Sequence, residues 1–473
     1  MTDKRANLLK SLQCAQELLM RQARQHFKKF VRYLKDDYDM QWFHAVICDK
    51  LDRFANGEIK NLMILMPPQH GKSELATRLF PAFVLGKNPD KRIAITSYSD
   101  TMASGFNRAI QRNIDNAEYY ALFPETKLNN SKVTKTNLDN FSRTEHLFEV
   151  VGKKGSVRSV GRGGSLTGNP VDIGIIDDLY KDRVEARSPT ISEGAWQWYI
   201  DVFKTRLHND SQQLIMNTRW DDSDLCGRIL EEEGDKWVVI KLPAIKTADV
   251  NDYDTRAEGE VLWSKKHSLE KILDQKKLSQ VSFNSLYQQD PKPNTDILIF
   301  SNWIEIPEWP TVDLPDGRKV PMHTDSFGLD FGKTSGINAL TRFALNGEDA
   351  FFREHLYEAG ISAEEIARLL IEVYGYNGEI VYCDHMPTKI SALRAKKINA
   401  VPAVKGEGSI DDGISKLKAL NCHYTADSRN LKKELNNYQW TTYGKVITNI
   451  PVDDFNHAID SCRYAYYSKY FRR

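Results

Sequence analysis

The chain has no C-x-x-C pair. Its six cysteines, Cys14, Cys48, Cys226, Cys383, Cys422 and Cys462, are scattered over 473 residues. That pattern argues against a zinc site or a disulfide framework and for reduced thiols in a cytoplasm. No apolar run approaches the ~20 residues of a membrane span, and no apolar signal segment follows the first five residues. An excess of one charge is missing too, since 65 Lys and Arg stand against 64 Asp and Glu. This balance neither demands nor excludes a nucleic-acid partner, so any DNA contact must come from local patches. There is no internal repeat and no low-complexity tract. With 41% hydrophobic and 27% charged residues, the composition is that of a soluble globular protein. The length calls for two domains, or three.

What is present centres on Leu62-Met63-Ile64-Leu65-Met66-Pro67-Pro68-Gln69-His70-Gly71-Lys72-Ser73. A buried strand, a tight turn and Gly-Lys-Ser opening a helix make a phosphate-binding loop, in which backbone N–H groups and the helix dipole face an anion. Gln69, His70 and Gly71 would line the loop. Lys72 would reach the β- and γ-phosphates and Ser73 would ligate Mg²⁺. The first Gly of the usual G-x-x-x-x-G-K-[ST] pattern is replaced by Met66.

A second apolar strand, Val171 to Ile176, ends in Asp177-Asp178. A phosphate-loop ATPase needs one acid at a neighbouring strand tip to hold Mg²⁺ and another to orient the attacking water. Asp177 fits the first role and Asp178 the second. Gln213 to Trp220 is a further strand with a polar tip, where Thr218 and Arg219 are candidates for sensing the γ-phosphate. Just before the phosphate loop, Trp42 is a candidate for stacking on adenine, or else a core residue. Apolar residues at Leu8, Leu12, Ala15, Leu19, Ala23, Phe27, Phe30 and Leu34 predict one long helix. Its basic opposite face is solvated, or touches DNA or a neighbouring subunit. Gly161 to Gly168 is too glycine-rich for a regular element and is expected to be a mobile loop.

Strands alternating with helices predict a parallel α/β sheet up to about residue 245. The expected division is a helical or lid segment over 1–58, the ATPase domain over 59–245, a proline-rich linker with a connecting subdomain over 246–320, and a second domain over 321–473. In that last domain, acids stand on the strand Ser326 to Gly332 (Asp330), at a strand tip (Asp384) and on a terminal helix (Asp460), with His457 sharing the face of Asp460. Burying these carboxylates is costly unless a cation holds them. One or two Mg²⁺ or Mn²⁺ ions would do so and would cut a phosphodiester. The strand order is that of a ribonuclease H-like fold. Lys389, Arg394, Lys396, Lys397 and Lys405 are candidates for DNA phosphate contacts, or a solvated helix face.

At this point the chain resembles the large terminase subunit of tailed bacteriophages. The resemblance rests on Met66 to Ser73, Ile175 to Asp178 with Lys181-Asp182, and Asn217 to Trp220. In the second domain it rests on Gly328 to Gly332, Lys405 to Ile410, Glu434 to Tyr438 and His457 to Tyr464. It implies a P-loop ATPase of the ASCE type joined to a ribonuclease H-like endonuclease, using ATP and Mg²⁺, with Mn²⁺ able to substitute in the nuclease. It also implies double-stranded DNA, a portal protein and a small terminase subunit as partners, a pentameric ring on the procapsid, and no membrane. The expected location is the host bacterial cytoplasm, transiently on the procapsid and not in the mature virion. An arginine finger is implied, with Arg162 or Arg158 as candidates. For the third nuclease acid Asp460 is preferred, by the His-x-x-Asp ending seen in relatives, with Asp453 and Asp454 as the alternatives. Two departures stand out: Gln69 where the family often has Arg, and Asp178 where many members have Glu. The rival readings are a repair or transposition ATPase-nuclease, whose helicase motifs are not found, and a non-catalytic assembly protein, which intact Lys72 and the three acids oppose.

Overall fold

The computed structural model describes residues 2–129, 141–166, 168, 170–248, 251–291, 297–315, 317–332, 336–406, 408–443 and 446–471. Within these, Asn61–Leu65 forms β1, buried from Leu62 onward. It is followed by β2 (Arg92–Ser97), β3 (Leu147–Glu149), β4 (Ser156–Gly161), β5 (Val171–Asp177), β6 (Leu207–Asn217) and β7 (Val238–Lys241). They make one sheet in the order β3-β4-β2-β5-β6-β1-β7, parallel except for the β3–β4 pair. β6 therefore stands between the phosphate-loop strand β1 and the acid-bearing strand β5. This insertion is what the ASCE class requires, and it brings the tips of all three strands to one edge. Every residue of β5 is buried, as its mostly apolar run predicts for a central parallel strand, with Asp172 near its start paired to Arg92.

The long N-terminal helix is broken. Thr2–Gln25 and Phe27–Leu34 are separate helices, and His26 between them is extended, with φ −122° and ψ 123°. The Asp52 carboxylate accepts the Phe27 N–H at 2.7 Å and so supports a fresh helix start. Phe27, Phe30, Val31 and Leu34 enter the core, while Leu9, Leu12, Leu18 and Leu19 remain more than half exposed. The cysteines are unpaired, with Cys14 exposed and the other five buried. Among the described residues, no helix is long and apolar enough to cross a membrane.

The chain divides into two units, Met1–Lys292 and Pro293–Arg473. The stretch 246–320, expected as a linker with its own subdomain, is shared between them. Backbone bonds such as Leu262 N–H to the Ala244 carbonyl and Ala244 N–H to the Tyr287 carbonyl fold its first part back onto the end of the first unit. Its later part supplies β8 (Ile304–Ile306), β9 (Thr311–Asp313) and β10 (Lys319–Pro321) to the second.

The second unit continues with β11 (Ser326–Asp330), β12 (Ile337–Asn346), β13 (Asp349–Ala359), β14 (Val381–Cys383), β15 (Ala400–Pro402), β16 (Asn421–Thr425), β17 (Trp440–Tyr443) and β18 (Val446–Pro451). The main sheet runs β15-β14-β11-β12-β13-β16-β8. β11, β12 and β13 form an antiparallel meander, and β14 pairs in parallel with β11. This is the ribonuclease H-like arrangement, and it sets the ends of β11 and β14 side by side.

Helix His457–Tyr470 crosses β11 at backbone contact. The Ser461 hydroxyl donates to the Gly328 carbonyl at 2.7 Å and the Ser326 hydroxyl to the Ala465 carbonyl at 2.8 Å. A Cβ on Gly328 would stand 1.8 Å from the Ser461 carbonyl oxygen, so only glycine permits this approach. Gly328→Ala is therefore expected to destabilise the second unit by about 3 kcal/mol, the upper end of ordinary overpacking costs because the obstacle is backbone. Chemical denaturation of the full chain measures it, and an unchanged midpoint would remove the close-packing account.

Candidate nucleotide and nuclease centres

The phosphate loop leaves β1 through Met66, which is wholly buried, and turns at two left-handed residues, Gln69 (φ 60°) and Gly71 (φ 86°). A side chain at Gly71 would be strained by that φ. Its Cβ would also lie 2.9 Å from both His44 Nε2 and the Tyr38 hydroxyl. His44 holds the loop from outside. The Gln41 N–H donates to His44 Nδ1 at 3.1 Å, leaving Nε2 to donate to the His70 carbonyl at 2.8 Å. His70 in turn donates through Nδ1 to the Pro68 carbonyl at 2.8 Å. Its ring stacks on His267, centroids 4.5 Å apart. Lys266 donates to the Gln69 carbonyl at 2.7 Å while its ammonium lies over Trp263. The helix that follows opens as a wide turn, Glu74–Leu79, before continuing as Phe80–Lys87.

Lys72, Ser73, Asp177, Asp178 and Thr218 meet at the sheet edge. The Lys72 ammonium contacts Asp178 Oδ1 at 3.2 Å and the Thr218 hydroxyl at 2.5 Å. The Thr218 N–H donates to the same Asp178 oxygen at 2.8 Å. Asp178 sits at φ 47°, a left-handed conformation that Asp tolerates better than most side chains. Asp177 is fully buried and accepts from the Ser73 hydroxyl at 3.1 Å and the Thr77 hydroxyl at 2.5 Å. Burial first, and then the adjacent Asp178 charge, push the Asp177 carboxyl up to about 6, against the pull of Lys72 and the two hydroxyls. A buried carboxylate one hydroxyl away from a phosphate loop suits a hydrated divalent cation.

Other expected residues lie elsewhere. Trp42 opens the helix Trp42–Ala55 with its ring edge-on to Phe43 and beneath the Arg256 guanidinium; the imidazole of His44, two residues on, reaches the loop. Arg219 is locked on Asp224, with Nε 3.0 and 2.9 Å from its two oxygens. Arg162 is not on a free loop. Its guanidinium donates to the Leu179 carbonyl and to Glu185, both at 2.9 Å, because the segment after Asp178 turns back beside it. Arg158 lies mid-strand in β4, paired in register with Ala94 and Leu147. Thr167 of the glycine-rich loop and Glu407 of the Lys405–Ile410 motif fall outside the described residues. Thr77 and His44 carry no motif of their own. The one clue to Thr77 is its position a helical turn after Ser73.

In the second unit, Asp330 ends β11 and Asp384 directly follows β14, its N–H bonded to the Leu329 carbonyl at 2.8 Å. Each predicted acid has a side-chain donor of its own. Asp330 accepts from His457 Nδ1 at 2.9 Å. Asp384 pairs with Lys405, and Asp460 with Arg463 at 2.8 Å. Burial pushes the Asp330 carboxyl up, the His457 bond opposes it, and the charges of Asp460 and Asp384 add to the rise. The three acids thus share one field, whereas Asp453 and Asp454 are exposed on the approach to the helix. Oxygen donors that repel one another suit a hard divalent cation. As placed, they are met by protein donors instead, and among the described residues no three His, Cys, Asp or Glu side chains stand close enough to hold a metal ion. Lys389 donates to the Gly332 carbonyl at 2.9 Å and Arg394 to the Ala400 carbonyl at 2.7 Å. With Lys405 on Asp384, three of the five proposed DNA-contacting cations therefore have internal partners. Lys396 and Lys397 are exposed.

Residues 63–277 match the family model described as terminase large subunit, T4likevirus-type, N-terminal. No curated protein matches the sequence. Among solved structures, an ATPase-domain mutant of the Thermus phage P74-26 large terminase is 15% identical, with 55% of this chain and 97% of that one covered, at a TM-score of 0.37. The nuclease domain of the large terminase g2p from bacteriophage SPP1, with bound Mn, is 21% identical over 36% of this chain and 97% of its own, at 0.30. A large terminase from a thermophilic bacteriophage, in complex with ADP, is 12% identical over 89% and 98%, at 0.32.

Burial lowers the His70 imidazole to about 4, helped by the nearby His267 and Lys266. The unfolded chain then binds a proton that the folded chain refuses. Stability from this group is complete above pH 6.5 and is lost as pH falls toward 4, by about 3 kcal/mol. Denaturation midpoints across that range should fall in the wild type and fall less in His70→Gln. Parallel curves would exclude His70 as the cause.

Proposed function

We propose that this chain, whose residues 63–277 match the terminase large-subunit family model, is the motor and nuclease that packages a tailed-phage genome. The first unit hydrolyses ATP and drives double-stranded DNA into the procapsid. The second cuts concatemeric DNA when packaging begins and ends. The observation that carries this reading is the pairing, in one chain, of the Lys72–Asp178–Thr218 and Ser73–Asp177 contacts with the Asp330, Asp384 and Asp460 acids on a ribonuclease H-like sheet.

In the first centre, Lys72 stands where it can transfer from Asp178 and Thr218 to the β- and γ-phosphates. Asp178, released from the ammonium, then orients water. Ser73 and Asp177 would hold Mg²⁺, which supplies charge neutralisation at the phosphates. Because the Thr218 N–H and hydroxyl both belong to this cluster, departure of Lys72 is felt at the tip of β6. The buried Arg219–Asp224 pair anchors the adjoining segment, and this is the route by which hydrolysis moves the chain. In the second centre, Asp330, Asp384 and Asp460 would hold Mg²⁺ or Mn²⁺, which supplies Lewis acidity for phosphodiester cleavage. His457 orients Asp330. A portal protein, a small terminase subunit and a pentameric ring complete the assembly, in the host cytoplasm and transiently on the procapsid. In such a ring Arg162 would have to exchange Glu185 for a neighbour's nucleotide to act as an arginine finger.

Two measurements test the reading. Lys72→Ala should lower the ATPase rate by about 10²–10³-fold, the usual cost of removing one group that stabilises transition-state charge. A rate within a few-fold of wild type would exclude this centre. Purified wild type should cut plasmid DNA in Mg²⁺ or Mn²⁺, and Asp330→Ala should not. A folded, ATP-hydrolysing protein that never cuts under either metal would leave a pure translocase.

A further inference from the structure

Glu434 is a buried acid with no part in the chemistry above. It sits at the end of helix Arg429–Leu435 and is 1% exposed. One carboxylate oxygen accepts the Tyr357 hydroxyl at 2.9 Å and the His457 N–H at 3.0 Å, and the other accepts the Ile459 N–H at 3.0 Å. Those two amides are among the unpaired donors at the start of helix His457–Tyr470. The residue at the capping position, Asn456, makes no side-chain cap. Glu434 caps this helix from a different helix, with a charge suited to the positive end of the dipole.

Glu434 is itself held in place. Glu354 on β13 accepts the Leu431 N–H and the Asn430 side-chain amide, both at 2.6 Å, and so fixes the start of the helix whose last turn carries Glu434. Two carboxylates in series therefore tie the central sheet to the first turn of helix His457–Tyr470. That turn carries His457 and Asp460. Beyond it the helix has separate anchors, through Ser461 to Gly328 and Thr341 and through Ala465 to Ser326. Loss of the Glu434 contacts would loosen the turn that bears the site and leave the rest of the helix docked.

We propose that Glu434 is a positioning residue of the nuclease centre, setting the height and rotation of the 457–460 turn so that His457 and Asp460 face Asp330. This inference rests on the nuclease reading. In Glu434→Gln one amide N–H₂ would face a backbone N–H or the Tyr357 hydroxyl, so at least one of the three bonds fails while the volume is kept.

The test uses the full chain as wild type, Glu434→Gln, Tyr357→Phe and Asp330→Ala. The readouts are Mn²⁺ titration calorimetry, plasmid cleavage over a range of DNA concentrations, ATPase rate and thermal melting. The Mn²⁺ binding that Asp330→Ala abolishes defines the nuclease ion. Glu434→Gln should weaken that binding and lower kcat of cleavage by about 10–100-fold, the usual effect of losing a group that orients ligands. KM for DNA and the ATPase rate should not change. Tyr357→Phe should show a smaller loss of both Mn²⁺ binding and kcat. Wild-type Mn²⁺ affinity and kcat in Glu434→Gln would overturn the inference, and so would a loss of cleavage that only tracks a loss of folded protein. If Glu434→Gln does not fold, Tyr357→Phe decides by the same two quantities, and unchanged values overturn the inference. A wild type that never cuts overturns the nuclease reading and this inference with it, whereas a cutting wild type beside an unaffected Glu434→Gln overturns this inference alone.

Discussion

A carboxylate withdrawn from water needs donors or a cation, and both units of this chain are arranged round acids in that position. Asp177 is wholly buried at the tip of β5, met by two hydroxyls from the helix after the phosphate loop. Glu434 is held by a phenol and two backbone amides, and burial still pushes its carboxyl up to about 7. An apolar side chain at either place would be less costly to bury. The pairing of these acids offsets the cost of taking them out of water. They fix neighbouring groups whose placement would otherwise be loose.

The sheets determine where such acids can collect. In the first unit, parallel strands deliver the phosphate loop, Asp177 and Thr218 to the same edge, because β1, β6 and β5 are consecutive neighbours. In the second, the parallel β11–β14 pair sets Asp330 and Asp384 side by side, and a helix packed on bare glycine brings Asp460 over them. Each unit thereby converts residues far apart in sequence into one electrostatic cluster. Within each cluster the acids are met from inside the protein, Asp178 by Lys72 in one case and Asp330, Asp384 and Asp460 by His457, Lys405 and Arg463 in the other.

Much of this was legible in the residue order. The largely apolar run of β5 ending in two acids, Gly-Lys-Ser after a strand, and the acid within β11 each follow from local rules of burial and turn chemistry. What local rules cannot supply is the partner. Thr77 and His44 bond to groups 100 and 26 positions away, and Glu434 reaches a helix start 23 positions on, so nothing beside them in sequence marks their roles. The same limit explains the differences. Arg162 belongs to a glycine-rich stretch that looks unattached, yet Glu185 and the Leu179 carbonyl fold back to hold it. The N-terminal apolar periodicity continues through His26, but Asp52, contributed by another helix, supports a new start at Phe27.

The distribution of thiols has a practical consequence. Burial pushes those of Cys48 and Cys422 up to about 12, and those of Cys226, Cys383 and Cys462 upward as well. Such thiols stay protonated and shielded near neutral pH, so electrophiles pass them by. Cys14, exposed on the first helix, is left as the natural attachment point for a maleimide fluorophore. The unmodified protein therefore comes with a single-site optical label, placed beside the exposed leucines of that helix, and whatever covers them would be reported as a change in the colour or mobility of the dye.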